Sequence, residues 1–436
     1  PRPTDERHGL PFTFPQIRKR HDAATGAPMS IAETPAPEAA RRLSRGEFIA
    51  LMGTIFATVA FSIDAMLPAL PQIEAALTPD APNLAQLVLT SFVLGLGLGT
   101  LVTGPLSDSF GRKPVILAGA ALYIIGTLLA WISPSLELLL AARILQGLGA
   151  AGPRVVATAI IRDLYAGRQM AQIVSFAMLI FTIFPAVAPM IGAAIIWGFG
   201  WRAIFLAFLL FSTGAVGWLM LRQPETLPPS ARRPFRLAPL REALVETLSL
   251  RQMQLSILVQ TLVFGALFGT ISSIQPIFDD SYGRAAGFPY WFALIAAIAA
   301  PTAPINGMLV VGLGMRPLVR RALLTSMLIA LLVAGLIGLA PLGNAEFWVF
   351  LAWSCTVFVL AGFTIGNLNA LALEPLGHIS GMAASVMGAL ATVGGAALGA
   401  LIGQLFDGTP MPLILATTAL SGTGALVMRA MPRETA

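Results

Sequence analysis

The chain has 436 residues, 56% of them hydrophobic and 11% charged, and a mean hydropathy of +0.80. Soluble domains carry about 25% charged residues, and 27 Lys/Arg with 21 Asp/Glu could hardly cover a water-soluble protein of this size. The composition excludes a soluble enzyme, a disulfide-stapled secreted domain and a disordered polymer, and it points to a protein solvated mostly by lipid.

The other counts narrow the chemistry. The single cysteine, Cys355, lies in an apolar run, so no intrachain disulfide and no cysteine metal cluster can form. His8, His21 and His378 are far apart and give no metal-ligand spacing. A net charge of +6 and a pI near 10.2 would suit a nucleic-acid partner. However, the basic residues sit between apolar runs, as in a membrane protein with cationic cytoplasmic loops. Nucleic acid is therefore not expected as a partner.

Residues 1–45 are polar, Pro-rich and without helical periodicity, and read as a disordered cytoplasmic tail. Residues 1–28 either lie upstream of a start at Met29 or belong to that tail, and no signal peptide is expected. Apolar runs able to cross a ~30 Å hydrocarbon core then follow. They are expected at 48–70, 84–106, 114–133, 136–161, 169–195 and 202–222, and then at 252–276, 289–313, 318–340, 347–371, 380–405 and 411–429. Twelve spans result, making an all-α integral membrane protein. The domains are an N-terminal six-helix bundle over 46–222, a central cytoplasmic loop over 223–250, a C-terminal bundle over 251–430 and a cytoplasmic tail at 431–436.

Loop charge sets the orientation. With the N-terminus inside, 23 Lys/Arg fall in inner loops and tails, against Arg202 and Arg284 outside. That bias puts both termini in the cytoplasm. The halves also repeat. Gly104, Gly111 and Pro114 recur at a constant offset of 203 as Gly307, Gly314 and Pro317. Matching halves imply a solute site near the midplane between them.

A few polar residues interrupt the spans. Acidic residues at a helix centre cost about 2.5–3.5 kcal/mol on insertion scales, and Asp64 is the one well inside a span. Asp64 and Arg143 each lie about seven residues, or roughly 10 Å, from the outer end of their spans. They could pair, or compete for a shared partner, and a change in that balance could load or release a proton. A static ion pair is the plainer alternative. Arg154 either snorkels toward the cytoplasm or lines an inner cavity and attracts an anionic group. Asn306, Asn367 and Asn369 could face the same cavity or bond between helices. Gly95 with Gly99, Gly147 with Gly149 and Gly152, and Gly395 with Gly399 and Gly403 mark close helix packing. Pro185, Pro189, Pro301 and Pro304 are expected to bend spans 5 and 8. No Gly-x-x-x-x-Gly-Lys-Ser/Thr loop occurs. Energy must then come from an ion gradient, a partner or downhill movement, and no cofactor is expected.

Three motifs resemble a known family. Gly104-Pro-Leu-Ser-Asp108-Ser-Phe-Gly111-Arg112-Lys113-Pro114 looks like the loop 2–3 motif of the major facilitator superfamily. Arg143-Ile-Leu-Gln146-Gly147-Leu-Gly-Ala150 resembles its motif B, and Ala188-Pro189-Met-Ile-Gly192, preceded by Pro185, its antiporter motif C. Ile63-Asp64 with Leu67-Pro68-Ala-Leu-Pro71, Arg162-Asp163-Leu-Tyr165 and Glu225-Thr-Leu-Pro-Pro229 are similar to the bicyclomycin-resistance (Bcr/CflA) drug:proton antiporters. Ser109 stands where the superfamily pattern has a basic residue, and Ala188 and Ala193 where motif C has glycines.

The resemblance implies the major facilitator fold and proton-driven export of amphipathic drugs from the bacterial inner membrane by a monomer. The partners would be the drug, protons and the bilayer. It makes Asp64 the protonatable, substrate-sensitive acid and Arg143 the arginine linked to coupling. Asp108, Arg112 and Lys113 become a cytoplasmic latch between the halves. A metabolite:proton symporter, or an exporter of an endogenous solute, is the alternative on the same fold. A channel, sensor or intramembrane enzyme would need a pore, an appended domain or clustered intramembrane His, Asp or Ser, and no such cluster occurs.

Overall fold

In lipid the backbone must satisfy its own hydrogen bonds, so apolar runs of this length fold as helices. The computed structural model describes residues 43–232, 234, 237–339 and 342–431, and no strand is present among them. The expected tail over residues 1–45 lies outside the described residues up to Arg42, as do 432–436.

The helices are α1 (Arg45–Asp64), α2 (Leu70–Leu77), α3 (Leu87–Phe110), α4 (Arg112–Trp131), α5 (Leu136–Leu164), α6 (Gly167–Phe199) and α7 (Ala203–Arg222) in the first half. After them come α8 (Leu237–Ser249), α9 (Arg251–Pro276), α10 (Phe288–Ala299), α11 (Thr302–Leu313), α12 (Met315–Leu339), α13 (Ala345–Leu373), α14 (Ser380–Gln404) and α15 (Met411–Val427). Eleven helical stretches among the described residues are long and apolar enough to cross a membrane. One of them, the 60-residue run Ala345–Gln404, contains both α13 and α14, joined by a 3-10 turn over Glu374–Ile379. Counted separately, they bring the spans to the expected twelve.

The breaks have identifiable causes. Gly111 (φ 102°) separates α3 from α4, and Gly314 (φ 77°) separates α11 from α12. These are two of the glycines in the 203-residue repeat, and both use a left-handed backbone that side chains resist. The halves therefore turn at equivalent points. Ser44 and Ser135 cap α1 and α5 by accepting the N–H of Glu47 and Leu138.

Three boundaries differ from the sequence expectation. The first span does not end near 70: α1 stops at Asp64, a 3-10 turn spans Leu67–Ala69, and α2 continues to Leu77. Pro68 and Pro71 sit in the first turns of the later segments, where a missing N–H costs nothing. Span 8 is cut in two, α10 ending at Ala299 and α11 restarting at Thr302 after Pro301. Residues 223–250 are not loop throughout, because α8 forms within them. By contrast, α6 runs unbroken through Pro185 and Pro189.

Small residues set the packing. A side chain at Gly147 would strike the backbone of Phe92 and Leu96, and one at Gly95 would strike Ile144, so α3 and α5 meet backbone to backbone. Gly149 and Gly152 let α5 lie equally close to Gly119 of α4. Gly395 and Gly399 of α14 accept Phe264 and Phe268 of α9.

The two halves are fastened together at one end. Asn83 Nδ2 donates to Phe406 O at 2.7 Å, and Gln404 Nε2 donates to Asn83 O at 2.8 Å. Ser273 Oγ donates to Gln86 Oε1 at 3.2 Å. The other end, which carries Arg112 and Arg162, is hollow.

Candidate functional site

The break after α1 is where the rare polar residues meet. A helix leaves its last four carbonyls without intrahelical donors. The N–H of Ala65 takes Phe61 O at 3.1 Å, and the N–H of Met66 takes Ile63 O at 3.3 Å. Ser62 O lies between them, and Arg143 Nη2 of α5 donates to it at 2.9 Å. A guanidinium placed there also sits favourably at the negative end of the helix dipole.

Arg143 is wholly buried, and its other donors are matched too. Nε donates to Val88 O of α3 at 3.1 Å and Nη1 to Gln146 Oε1 at 2.5 Å. Phe92 lies under the guanidinium, 4.5 Å from ring centroid to Cζ. Gln146 Nε2 passes the network to Thr127 Oγ1 at 2.8 Å, and Thr127 Oγ1 donates to Tyr123 O at 2.6 Å. Tyr123 OH and Ser62 Oγ lie 2.6 Å apart, closing the ring back on α1. One arginine therefore ties α1, α3, α4 and α5 together. Tyr123, Thr127 and Ser62 were not singled out from sequence. The available signal was their rarity as polar groups in apolar spans, Tyr123 being one of four tyrosines.

Asp64 does not pair with Arg143. Only 5% of it is exposed, and among the described residues its carboxylate has no hydrogen-bonding or ionic partner. The pairing suggested by equal depth fails because the guanidinium is engaged by neutral oxygens, Ser62 O two residues earlier on α1, Val88 O of α3 and Gln146 Oε1 of α5. Asp64 instead occupies the last position of α1, beside a close helix contact. Gly192 of α6 abuts the carbonyl of Ala65, and a side chain there would strike it. The antiporter-type motif therefore packs against the residue following Asp64.

The loop 2–3 motif forms a second network at the hollow end. Arg112 is 3% exposed and makes a two-pronged contact with Asp163, at 2.8 Å from Nε and 3.2 Å from Nη2. Its Nη1 donates to Asp108 Oδ1 at 2.6 Å and Ser107 Oγ at 2.8 Å. Gly111 supplies no side-chain cap for α4. Glu225, far along the chain, supplies it. Its Oε1 accepts the N–H of Arg112 at 3.0 Å, and its Oε2 accepts that of Lys113 at 2.9 Å. Lys113 Nζ donates to Met220 O at 2.9 Å, and Thr226 Oγ1 to Asp163 Oδ2 at 2.9 Å. Partial burial pushes the Glu225 carboxyl upward, but the N–H groups of Leu227, Lys113, Arg112 and Thr226 outweigh this and hold it below its ordinary value. Among the described residues these charges all come from the first half and the segment after α7, so this network braces one bundle.

Between the halves lies a cavity of about 1190 Å³. From the first half it is lined by Thr100, Gly104 and Asp108 of α3 and by Arg154, Thr158 and Arg162 of α5. From the second half come Gln260 and Phe264 of α9, Asn369 of α13, and Ser385, Gly388 and Thr392 of α14. Gly104 faces Ser385, so α3 can approach α14 at the mouth. Ser109, which stands where the family pattern is basic, also lines the cavity. Arg154 and Asn369 face it, whereas Asn306 and Asn367 are not among its lining. Asn367 Nδ2 donates to Asn306 Oδ1 at 2.7 Å, tying α13 to α11. Asp64 and Arg143 do not line it either, so the buried acid and the cavity are separate in this state.

This architecture can be compared with known proteins. The family model described as Major Facilitator Superfamily matches residues 50–430. The chain belongs to the major facilitator superfamily. It is 30% identical over 382 residues to a Bacillus subtilis protein named uncharacterized MFS-type transporter YdgK, covering 86% of this chain and 92% of that one. It is also 30% identical to the bicyclomycin resistance protein homolog of Haemophilus influenzae, over 63% of this chain and 69% of that one. These relatives agree with the bicyclomycin-resistance subfamily indicated by the motifs. Among solved structures, a D-xylose-proton symporter superposes with a TM-score of 0.69 at 15% identity, covering 89% of this chain and 98% of that one. That likeness concerns the fold. The protein is a multi-pass membrane transporter of small molecules, and the superfamily it belongs to is a transporter family rather than an enzyme family.

Proposed function

We propose that the protein exports amphipathic drug-like solutes in exchange for protons. The observation that carries this reading is Asp64: a buried acid without a counter-ion among the described residues, at a helix break, next to the residue that meets the antiporter-type motif. Ionising it here would bury an unpaired charge. Loss of its proton therefore favours a rearrangement that brings the carboxylate to water or to a cation, and gain of a proton restores the present state. The bicyclomycin-resistance name of one relative supports a drug as cargo.

The excess of basic residues at the hollow end supports a cytoplasmic assignment for that end and for both termini, with the chain in a bacterial inner membrane. The cavity then opens inward while Asn83, Gln404 and Phe406 close the outside. The bundles over 46–222 and 251–430 act as the two rocking bodies in a monomer, powered by the proton gradient with no cofactor. The Arg143 network keeps α1 in register with α3, α4 and α5, and the Arg112–Asp163–Glu225 network braces the inner end of the first bundle. Inside-out vesicles test the reading. An imposed proton gradient should drive uptake of a drug such as chloramphenicol, and Asp64→Asn should abolish the dependence on that gradient. Normal pH-dependent transport by Asp64→Asn would refute it.

A further inference from the structure

Arg154 differs from every other arginine deep in the spans. It lies ten residues before the end of α5 at Leu164, roughly 15 Å along the helix, near the middle of a ~30 Å core. Arg143, at comparable cost, has each of its nitrogens bonded. Arg154 has no hydrogen-bonding or ionic partner among the described residues, and its side chain is solvent-accessible. It does not face lipid. Arg154, Thr158 and Arg162 follow one another at four-residue intervals, and all line the same cavity. Among the described residues the only carboxylate on that lining, Asp108, is already held by Arg112 at 2.6 Å.

The facing wall belongs to the other half. Gln260 of α9 is 2% exposed, and its Oε1 is buried without a partner. Asn369 lies on α13 in the same wall. A guanidinium without a partner among the described residues thus shares a cavity with neutral amides and with apolar side chains such as Phe264. An intramembrane cation with no internal partner marks a solute path, and a guanidinium is suited to two-pronged recognition of a carboxylate.

We propose that Arg154 is a specificity-determining residue that selects solutes carrying a carboxylate on an aromatic or otherwise apolar body, with the amides of Gln260 and Asn369 reading a polar group at the other end. This rests on the cavity being the transport site of the exporter proposed above. An amphipathic amine would be disfavoured, because Arg154 and Arg162 would repel it with no free acid among the described lining residues to offset them.

The test uses three probes of one shape: 1-naphthylacetate, 1-naphthylacetamide and 1-(aminomethyl)naphthalene. Binding to the purified full-length protein is read by naphthalene fluorescence. The acetate should bind at least about tenfold more tightly than the amine, the scale of a hydrogen bond to a charged group. Arg154→Gln should lose about tenfold for the acetate and leave the acetamide unchanged, while Arg154→Lys should recover part of the loss. Equal affinity for acetate and amine in the unmodified protein overturns the inference without any variant. Repeating the titration with phosphatidylglycerol in the micelle separates solute from lipid: a lipid phosphate that removes acetate binding as fully as Arg154→Gln does also overturns it. Proton coupling is read independently. If gradient-driven uptake of 1-naphthylacetate fails while Arg154-dependent acetate binding persists, the export reading falls and the selectivity stands.

Discussion

Arg143 should be worth more to stability than any other single polar residue in the first bundle. Arg143→Met removes the donor to Ser62 O, which has no backbone donor at the end of α1, and to Gln146 Oε1. Val88 O suffers less, because Ser91 Oγ also donates to it at 3.1 Å. Each orphaned buried acceptor costs about 1–3 kcal/mol, so the change should destabilise by roughly 3–4 kcal/mol after methionine recovers some packing. For a unit of about 150–250 residues, 1 kcal/mol moves Tm by about 2–4 °C, giving a fall of roughly 6–16 °C. Gln146→Leu leaves Nη1 without its acceptor and should cost about 1.5–3 kcal/mol. In the double variant both partners of the 2.5 Å bond are gone, so the losses should fall short of additivity by about 1–2 kcal/mol. Tryptophan emission during heating of the solubilised protein reads all four corners of the cycle. A coupling below about 0.5 kcal/mol, or an unchanged Tm in Arg143→Met, would refute the assignment of this arginine as the tie between α1 and its neighbours.

Three further outcomes are expected. Gly147→Leu should abolish folding or drop yield sharply, since even a Cβ there meets the backbone of α3; normal yield and Tm would contradict the packing. Glu225→Gln should lower stability at neutral pH by about 1 kcal/mol, the scale of a lost helix cap. Because the folded carboxyl is held below its ordinary value, its stabilisation is complete above about pH 4.3 and disappears as pH falls through the folded value. The Tm difference between wild type and Glu225→Gln should therefore shrink on acidification, and a difference independent of pH would count against the cap. Asn83→Ala removes the donor to Phe406 O and should favour opening at the fastened end. Gln275 of α9 is buried beside Asn83, Gln86 and Phe406 at that end; a cysteine in its place should then react faster with maleimide, with buried Cys355 giving a low background, and an unchanged rate would count against the fastening.

Much of the fold was legible because lipid imposes a simple rule. Runs such as 136–161 and 380–405 need only be long and apolar to become α5 and α14. The glycine pairs could be read because close backbone approach tolerates no other residue. What escaped were places where a local breaker competed with a long apolar run. Pro301 ended α10, whereas Pro185 and Pro189 left α6 intact, and hydropathy treats all three alike. The Asp64–Arg143 pairing was inferred from matched depth alone. Depth carries no azimuth and cannot register that a carbonyl at the end of α1 needs a donor. The cap of α4 by Glu225 was similarly hidden, since no local pattern links residues more than 100 positions apart.

The scarcity of charge, the twelve apolar runs, the one-sided basic loops and the repeated glycines are written in the sequence. They determine that this chain lives in a membrane and belongs to a known transporter family. Tertiary structure decided which of the few buried charges are satisfied. Among the described residues, Arg143 is spent on neutral oxygens, Arg112 on Asp108 and Asp163, Asp64 is left without a partner, and Arg154 stands free in the cavity. The reason is that the cost of a buried charge depends on the direction and distance of its neighbours, which the folding of separate helices alone brings together.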